Sequence, residues 1–429
     1  MGIKVLFLYP NTFGMNMLPP AIATFSSILK QQKHEVEVFD TTYYAVDYGI
    51  DSDGSKESRL TVIPFSKEME KKNLRIKDTS WKSDLSKKIE EFKPDLLALS
   101  ATEDMWELGI KILDEIRNYK IKNNIPVIAG GVFPTFAPEI CIKYDLVDMV
   151  CVGEGENALI DLANCIANKE DYSNVTNLWV RQKDNSIKKN TMTKPVDINK
   201  LPTITDIGIF GEKRFYRPMG GKIRRLLPVE THRGCPYSCT FCTSPSQNRL
   251  YANNGSFFRK KSMKLIKEEI ENHIKMWKVE YIYFWADTFL AWSPKEFDAF
   301  CEMYKDIKLP FWCQTRIETI SEEKFKKLKE VGLHRITFGM EHGNEKFRRE
   351  VVKRPYSNKL AIELMKIPTE LDITFSVNNI IGFPGETREL AFDTIELNRH
   401  FKSDDTSCSV LIPFHGTEIR RIAEQQGLL

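Results

Sequence analysis

Between Thr231 and Thr243 the sequence reads THRGCPYSCTFCT, which gathers Cys235, Cys239 and Cys242, three of the nine cysteines, into eight residues. The spacing C-x-x-x-C-x-x-C supplies three soft thiolates, enough for three irons of a [4Fe-4S] cluster and one short of a full protein ligand set. The fourth iron is then open to a small chelating ligand. A second chemistry is available to the same stretch, because His232 could complete a Cys3His zinc site, a donor set that zinc accepts at varied spacings. The preceding run LLPVE (Leu226 to Glu230) reads as a strand. The cysteines therefore fall on a loop at a strand's carboxyl end, where barrel-like α/β folds carry their chemistry.

Further residues of chemical interest fall at other strand ends. In the second half, Tyr281 to Trp285, Pro310 to Gln314, Arg335 to Phe338, Thr374 to Ile381 and Ser407 to Ile412 read as strands with helical patterns between them, six strands in all with LLPVE. They end in ADTF (Ala286 to Phe289), QTR (Gln314 to Arg316), GMEHG (Gly339 to Gly343) and NNIIGFPGET (Asn378 to Thr387). Arg316 and Glu341 can be read as ligand contacts or as a structural ion pair across neighbouring strand ends. The aromatics of Tyr281 to Trp285 and Phe311-Trp312 read as core.

The first third alternates in the same way, with strands at Lys4 to Tyr9, Glu35 to Phe39, Leu96 to Ser100, Pro126 to Ala129 and Val147 to Val152. Helical spacing of Ile22, Phe25 and Leu29, and of Leu108, Ile112 and Ile116, separates them. This predicts a doubly wound parallel sheet whose ligands lie at the carboxyl ends of its strands. Tyr9 to Asn11, Ser100 to Thr102, GGVFPT (Gly130 to Thr135) and GEGE (Gly153 to Glu156) occupy those ends. Taken alone, Gly130-Gly131 is an ordinary strand-to-loop turn. A charged, poorly patterned stretch runs from about Asp51 to Lys82, and residues 171–225 read as a connector containing the hairpin NLWVRQKDNSIKKN.

At 429 residues the chain suggests two domains, and its net charge of +3 gives no sign of a nucleic-acid surface. No apolar segment reaches the roughly 18 residues that span a bilayer. An odd number of mostly scattered cysteines without a secretion signal predicts a reducing cytoplasm and no disulfide framework.

The ordered series KVLFLYP, PPAIATFSSILKQQKHEVEVFD, PDLLALSATED, IPVIAGGVFPTFAPE, VDMVCVGEGENAL resembles the cobalamin-binding domain that precedes many radical S-adenosylmethionine enzymes. The cysteine loop, with Phe241 before its third cysteine, resembles the cluster motif of the same enzymes. The resemblance implies a Rossmann-like cobalamin-binding domain over residues 1–170, a linker over 171–225 and a partial (β/α)6 barrel over 226–429. It implies cobalamin beside Tyr9, Ser100, Thr102, Gly130, Gly131, Thr135, Gly153 and Glu154. No Asp-x-His-x-x-Gly is present to offer cobalt a histidine, and His34 reads as a surface residue. Lys33 stands where the family commonly has glycine. In the barrel, the resemblance implies that Cys235, Cys239 and Cys242 hold the cluster and that Asp287 takes the methionine ammonium. Arg316 and Glu341 would contact polar parts of S-adenosylmethionine, and Phe241, Ile381 and Gly382 would lie near its adenine. Departures at Ala286, His342 and His415 bear on the substrate, and the family commonly extends beyond Leu429.

The function so implied is methylation of an unactivated centre of a small molecule (a natural product, lipid or tetrapyrrole) through methylcobalamin and a 5'-deoxyadenosyl radical. A reductase or a flavodoxin- or ferredoxin-type protein would supply electrons. Alternatives are a non-methylating radical cyclase or rearrangement enzyme, and a non-catalytic corinoid-binding or iron-sulfur electron-transfer protein.

Overall fold

The computed structural model describes residues 2–13, 17–46 and 66–429, so much of the charged stretch after Asp51 lies outside the described residues. The chain divides into two compact units, Met1–Arg225 and Leu226–Leu429.

In the first unit, β1 (Lys4–Tyr9), β2 (Glu35–Asp40), β3 (Leu96–Ser100), β4 (Val127–Gly130), β5 (Met149–Cys151), β6 (Leu178–Arg181) and β7 (Ile187–Lys189) form one sheet in the order β2-β1-β3-β4-β5-β6-β7. The first five strands are parallel. Their apolar runs are continuous because both faces are covered. Leu6, Leu8, Leu97 and Leu99 pack with Ile112 and Leu113, whereas Val5, Phe7, Leu96 and Ala98 pack with Ile22, Leu29 and Leu162. The chain leaves β1 for β2 on one side and returns to β3 on the other, a reversal that opens a crevice at the strand ends.

Two expectations change here. The hairpin of the connector is β6-β7, and it extends this sheet antiparallel to β5. His34 is buried instead of lying on the surface: its Nδ1 accepts from the Ile3 N–H at 3.1 Å and its Nε2 lies 3.2 Å from Asn164 Oδ1. The tight turn at Lys33, which adopts the left-handed conformation (φ 66°), folds the imidazole back against the start of β1. That conformation favours the glycine of the family.

In the second unit, the six parallel strands are the distal half of β9 (Lys222–Glu230), then β12 (Tyr281–Trp285), β13 (Phe311–Arg316), β14 (Leu333–Glu341), β15 (Thr374–Ile381) and β16 (Asp405–Val410). β10 (His232–Arg233) and β11 (Arg259–Lys260) make a small antiparallel ribbon. An edge strand not read in the sequence, β8 (Tyr216–Met219), pairs antiparallel with the proximal half of β9. It is short and contains Pro218, which weakens any strand signal.

Side chains on the convex face of this curled sheet meet helices. Phe284 lies edge-on to Phe300 and Tyr304 of the helix Pro294–Tyr304, and Phe338 stacks on Phe325 of the helix Glu322–Val331. By the two-residue period of a strand, Tyr283, Trp285, Trp312, Gln314, Thr337 and Ser376 face the concave side. Trp312 Nε1 donates to Thr337 Oγ1 at 2.9 Å, and the Thr337 and Ser376 hydroxyls are 2.8 Å apart. The aromatics read as core divide accordingly: Tyr281 and Phe284 are fully buried, whereas Trp285 is 41% exposed. No helix among the described residues is long and apolar enough to cross a membrane.

Candidate active site

β9 delivers the chain to the cysteine loop, and Gly234 turns it. Its φ is 85°, and a Cβ there would lie 2.7 Å from the Phe257 ring, so only glycine fits. Behind the loop, Asn248 Nδ2 donates to the Cys235 carbonyl at 2.9 Å and Thr240 Oγ1 to the Val351 carbonyl at 2.7 Å. Each thiol then has a different neighbour. Cys235 Sγ is 3.4 Å from Thr288 Oγ1, Cys242 Sγ accepts from the Ser244 N–H at 3.4 Å, and Cys239 Sγ accepts from Arg316 Nη1 at 2.9 Å. Burial pushes the Cys235 thiol up and the Cys242 thiol to about 12, so ionisation calls for cationic company.

Two guanidinia stand beside the remaining thiol, Cys239. Arg316 pairs with Glu318 and lies over the Tyr237 ring at 4.0 Å. Arg354 also borders Cys239, donates to the Gly339 carbonyl and pairs with Glu341, Nη2 to Oε1, at 3.1 Å. The ion pair weighed between Arg316 and Glu341 is therefore two separate pairs. Glu341 sits at a register shift of β14 against β15 with φ 71°, a strained position for a non-glycine residue.

Zinc would need His232 and the three thiols on one point. His232 packs against other groups, with Nδ1 2.9 Å from Thr231 Oγ1 and its ring centre 4.0 Å from that of Trp292, while its buried Nε2 has no hydrogen-bond partner among the described residues. Among the described residues no three His, Cys, Asp or Glu side chains converge on a single ion. A cluster instead spreads its thiolates over separate irons, which suits three cysteines with three surroundings.

Asp287, after β12, accepts a hydrogen bond from the Ser244 hydroxyl two residues beyond Cys242. Loss of hydration raises its carboxyl. Phe241 meets Phe383 edge-on, ring centres 6.4 Å apart. Gly382 has φ 86°, and its N–H, with that of Phe383, donates to Glu386 Oε2. Glu386 Oε1 is 3.0 Å from His342 Nε2, and His342 Nδ1 accepts from the Asn344 N–H, so the imidazole carries its proton on Nε2. His342 is a packed polar residue, and burial lowers its pKa. Sequence reading missed Arg354, Glu318, Ser244, Thr288 and Glu386. Only Thr288, inside the ADTF stretch, and Glu386, inside the GFPGET stretch, carried a local signal.

In the first unit, Ser100 and Gly130 lie opposite each other at the ends of β3 and β4. A Cβ on Gly130 would meet only Cys151 Cβ, at 3.8 Å, so this glycine leaves open space, as a slot for a ligand tail requires. Gly131 differs: with φ 120°, its Cβ would lie 2.6 Å from the Ala101 carbonyl oxygen. Thr135 ties the next two loops together, donating to the Gly131 carbonyl at 2.8 Å and accepting from the Gly153 N–H at 3.1 Å. Tyr9 ends β1, and burial pushes its phenol up to about 12. Thr102 is exposed. Glu154 turns away, its carboxylate accepting from the Val196 N–H at 2.6 Å.

Comparison with known proteins agrees with both halves. Residues 229–397 match the model of the radical SAM superfamily and residues 68–163 that of the B12 binding domain. The chain is 26% identical to an uncharacterized methyltransferase of Pyrococcus horikoshii over 353 residues, 81% of this chain and 73% of the relative. It is 25% identical to the anaerobic magnesium-protoporphyrin IX monomethyl ester cyclase of Rubrivivax gelatinosus over 340 residues, 76% of this chain but 58% of the cyclase. Among solved structures, the radical S-adenosylmethionine methyltransferase TsrM of Kitasatospora setae superposes with a TM-score of 0.72 at 19% identity, covering 99% of this chain and 78% of TsrM. The cobalamin-dependent enzyme OxsB superposes with a TM-score of 0.73 at 17% identity, over 99% of this chain and 61% of OxsB. A barrel unit with three thiols at one strand end, and a separate sheet unit with an open glycine position, thus have their relatives: the chain carries a B12-binding domain followed in sequence by a radical SAM domain.

Proposed function

We propose that this chain holds a [4Fe-4S] cluster on Cys235, Cys239 and Cys242, binds S-adenosylmethionine at the open iron and cobalamin in the crevice of the first unit, and methylates an unactivated centre of a small molecule. Bound there, these groups would supply one-electron cleavage of a sulfonium and a carrier for the methyl group. The chain's own residues bind and orient. The observation that carries the reading is the gathering of three thiols, two buried guanidinia and Asp287 around one loop.

Arg316 and Arg354 offset thiolate charge beside Cys239, as charge-assisted bonds to sulfur do. Asp287 suits the methionine ammonium, and its bond from Ser244 fixes the carboxylate's direction. Phe241 and the backbone of Ile381 and Gly382 suit the adenine, with Glu386 holding that loop in place. In the first unit, Ser100, Gly130 and Thr135 border the slot proposed for the cobalamin tail. The exposed Thr102 is open to a ligand, whereas the Glu154 carboxylate is already engaged by the Val196 N–H. One-electron chemistry also calls for a donor, a reductase or a small flavin or iron-sulfur protein.

A second reading, non-methylating radical ring closure, is favoured by the relative named as a cyclase. The experiment is anaerobic reconstitution with iron, sulfide and hydroxocobalamin, then reduction with S-adenosylmethionine and candidate substrates. Retained cobalt, a cluster lost in Cys235→Ala, and formation of both S-adenosylhomocysteine and 5'-deoxyadenosine support methylation. 5'-Deoxyadenosine without S-adenosylhomocysteine supports ring closure. A protein that cleaves no S-adenosylmethionine would be a carrier or electron-transfer module.

A further inference from the structure

The concave face of the barrel carries an aromatic shelf that the cofactor reading does not use. Tyr283 stacks on Trp312 with ring centres 4.0 Å apart and planes 19° apart. Trp285, on the same face two residues on, has its ring centre 6.1 Å from that of Tyr283. Trp312 is pinned through its Nε1 bond to Thr337. The lower two rings thus form a fixed base, while Trp285 keeps 41% of its surface open one position before Ala286 and two before Asp287. Concave apolar surface beside a few fixed polar groups is where ligands are commonly seated.

Polar side chains lie on the same side of this sheet. Gln314, Asn378 and Ser407 occupy the concave side of β13, β15 and β16, and Asn378 is exposed with its Oδ1 accepting from Ser407 Oγ at 2.8 Å. Gln314 Nε2 donates to the Ala286 carbonyl at 3.3 Å, which ties the polar wall to the strand end bearing Asp287. An open indole on a rigid aromatic base, beside amides and hydroxyls, fits a flat ring that stacks on one side and hydrogen-bonds through its edge.

We infer that Trp285 is a specificity-determining residue and that the substrate presents a planar unsaturated ring, with a hydrogen-bonding edge, to the shelf formed by Trp285, Tyr283 and Trp312. The inference rests on the barrel being the site of substrate chemistry, as proposed above. Its test needs no turnover. The reconstituted holoenzyme is dialysed, without reductant, against 2-naphthamide or its fully saturated counterpart, two amides that differ in flatness.

The expected result is roughly two- to tenfold tighter retention of 2-naphthamide, the advantage an aromatic contact adds to burial. Trp285→Leu abolishes the preference, Trp285→Phe keeps it, and Asn378→Ala weakens both amides alike. The Phe variant separates loss of stacking from loss of fold. Equal retention, no retention of either amide, or a preference that survives Trp285→Leu overturns the inference. Displacement of 2-naphthamide by equimolar S-adenosylmethionine also overturns it, because Trp285 would then belong to the cofactor. 5'-Deoxyadenosine formation, measured on the same preparation after reduction, reports on the radical reading independently.

Discussion

Arg354 and Glu341 form a buried ion pair, Nη2 to Oε1, at 3.1 Å, and the same guanidinium borders Cys239. Both side chains are less than a tenth exposed. A buried pair adds little net stability, but removing one partner strands a charge and costs about 3–5 kcal/mol. Arg354→Met should therefore destabilise the barrel strongly. Urea unfolding followed by barrel fluorescence should show Arg354→Met as much the weaker protein, with Glu341→Gln/Arg354→Met recovering part of the loss. Equal loss in both variants would mean that the guanidinium's other contacts, to Gly339 and Cys239, dominate.

The crevice of the first unit can be broken without touching the barrel. Gly131→Ala combines φ 120° with a Cβ placed 2.6 Å from the Ala101 oxygen, and backbone on both sides cannot yield cheaply. Reconstituted Gly131→Ala should retain less cobalt than wild type while its iron content is unchanged. Loss of both metals would mean that the two units depend on each other for folding.

Much of this architecture was legible beforehand, for reasons that differ by residue. The cysteine loop is local: its three thiols lie within eight residues, and Gly234 announces the turn. Strands β1, β3 and β12 are short, nearly continuous apolar runs, so their positions could be read directly. Arg354 could not be found, because it reaches Glu341 from a separate segment 13 residues later with no periodic mark. Trp285 was misread for another reason. Alternation tells which residues share a face but not whether that face is filled, and an open concave side looks like a packed one in sequence. His34 failed because burial of a turn residue depends on what the turn folds against, here the start of β1.

Glu386 holds the loop after β15 by accepting from Gly382 and Phe383 and by facing His342. Glu386→Ala should release two backbone donors and the imidazole together. The expected consequence is roughly a tenfold or greater rise in KM for S-adenosylmethionine, since a lost charged acceptor is worth about 1.5–3 kcal/mol, with kcat changed less. Glu386→Gln, which keeps an acceptor, should fall between. A fall in kcat at unchanged KM would place Glu386 in the chemistry and not in positioning.

His273 gives the barrel a predictable acid sensitivity. It is fully buried in the helix Met263–Trp277, and burial lowers its pKa from 6.5 to about 4, with the Lys261 charge adding to the shift. A base whose folded pKa is depressed binds fewer protons folded than unfolded, so stability rises with pH through this window and is lost as pH falls from 6.5 toward 4. The full effect is of order 3 kcal/mol. Nearby Glu269, whose carboxyl burial raises, and Lys261, 2.9 Å from it, share the environment, while buried His232, lowered to about 3, adds a slope of the same sign. Urea midpoints measured between pH 7 and 4 should therefore fall more gently in His273→Leu than in wild type. Parallel curves would show that His273 is accommodated as an imidazolium on acidification, and the acid sensitivity would then belong to His232 and to carboxyls held low in the fold, such as Glu296, while Glu269 contributes a slope of the opposite sign.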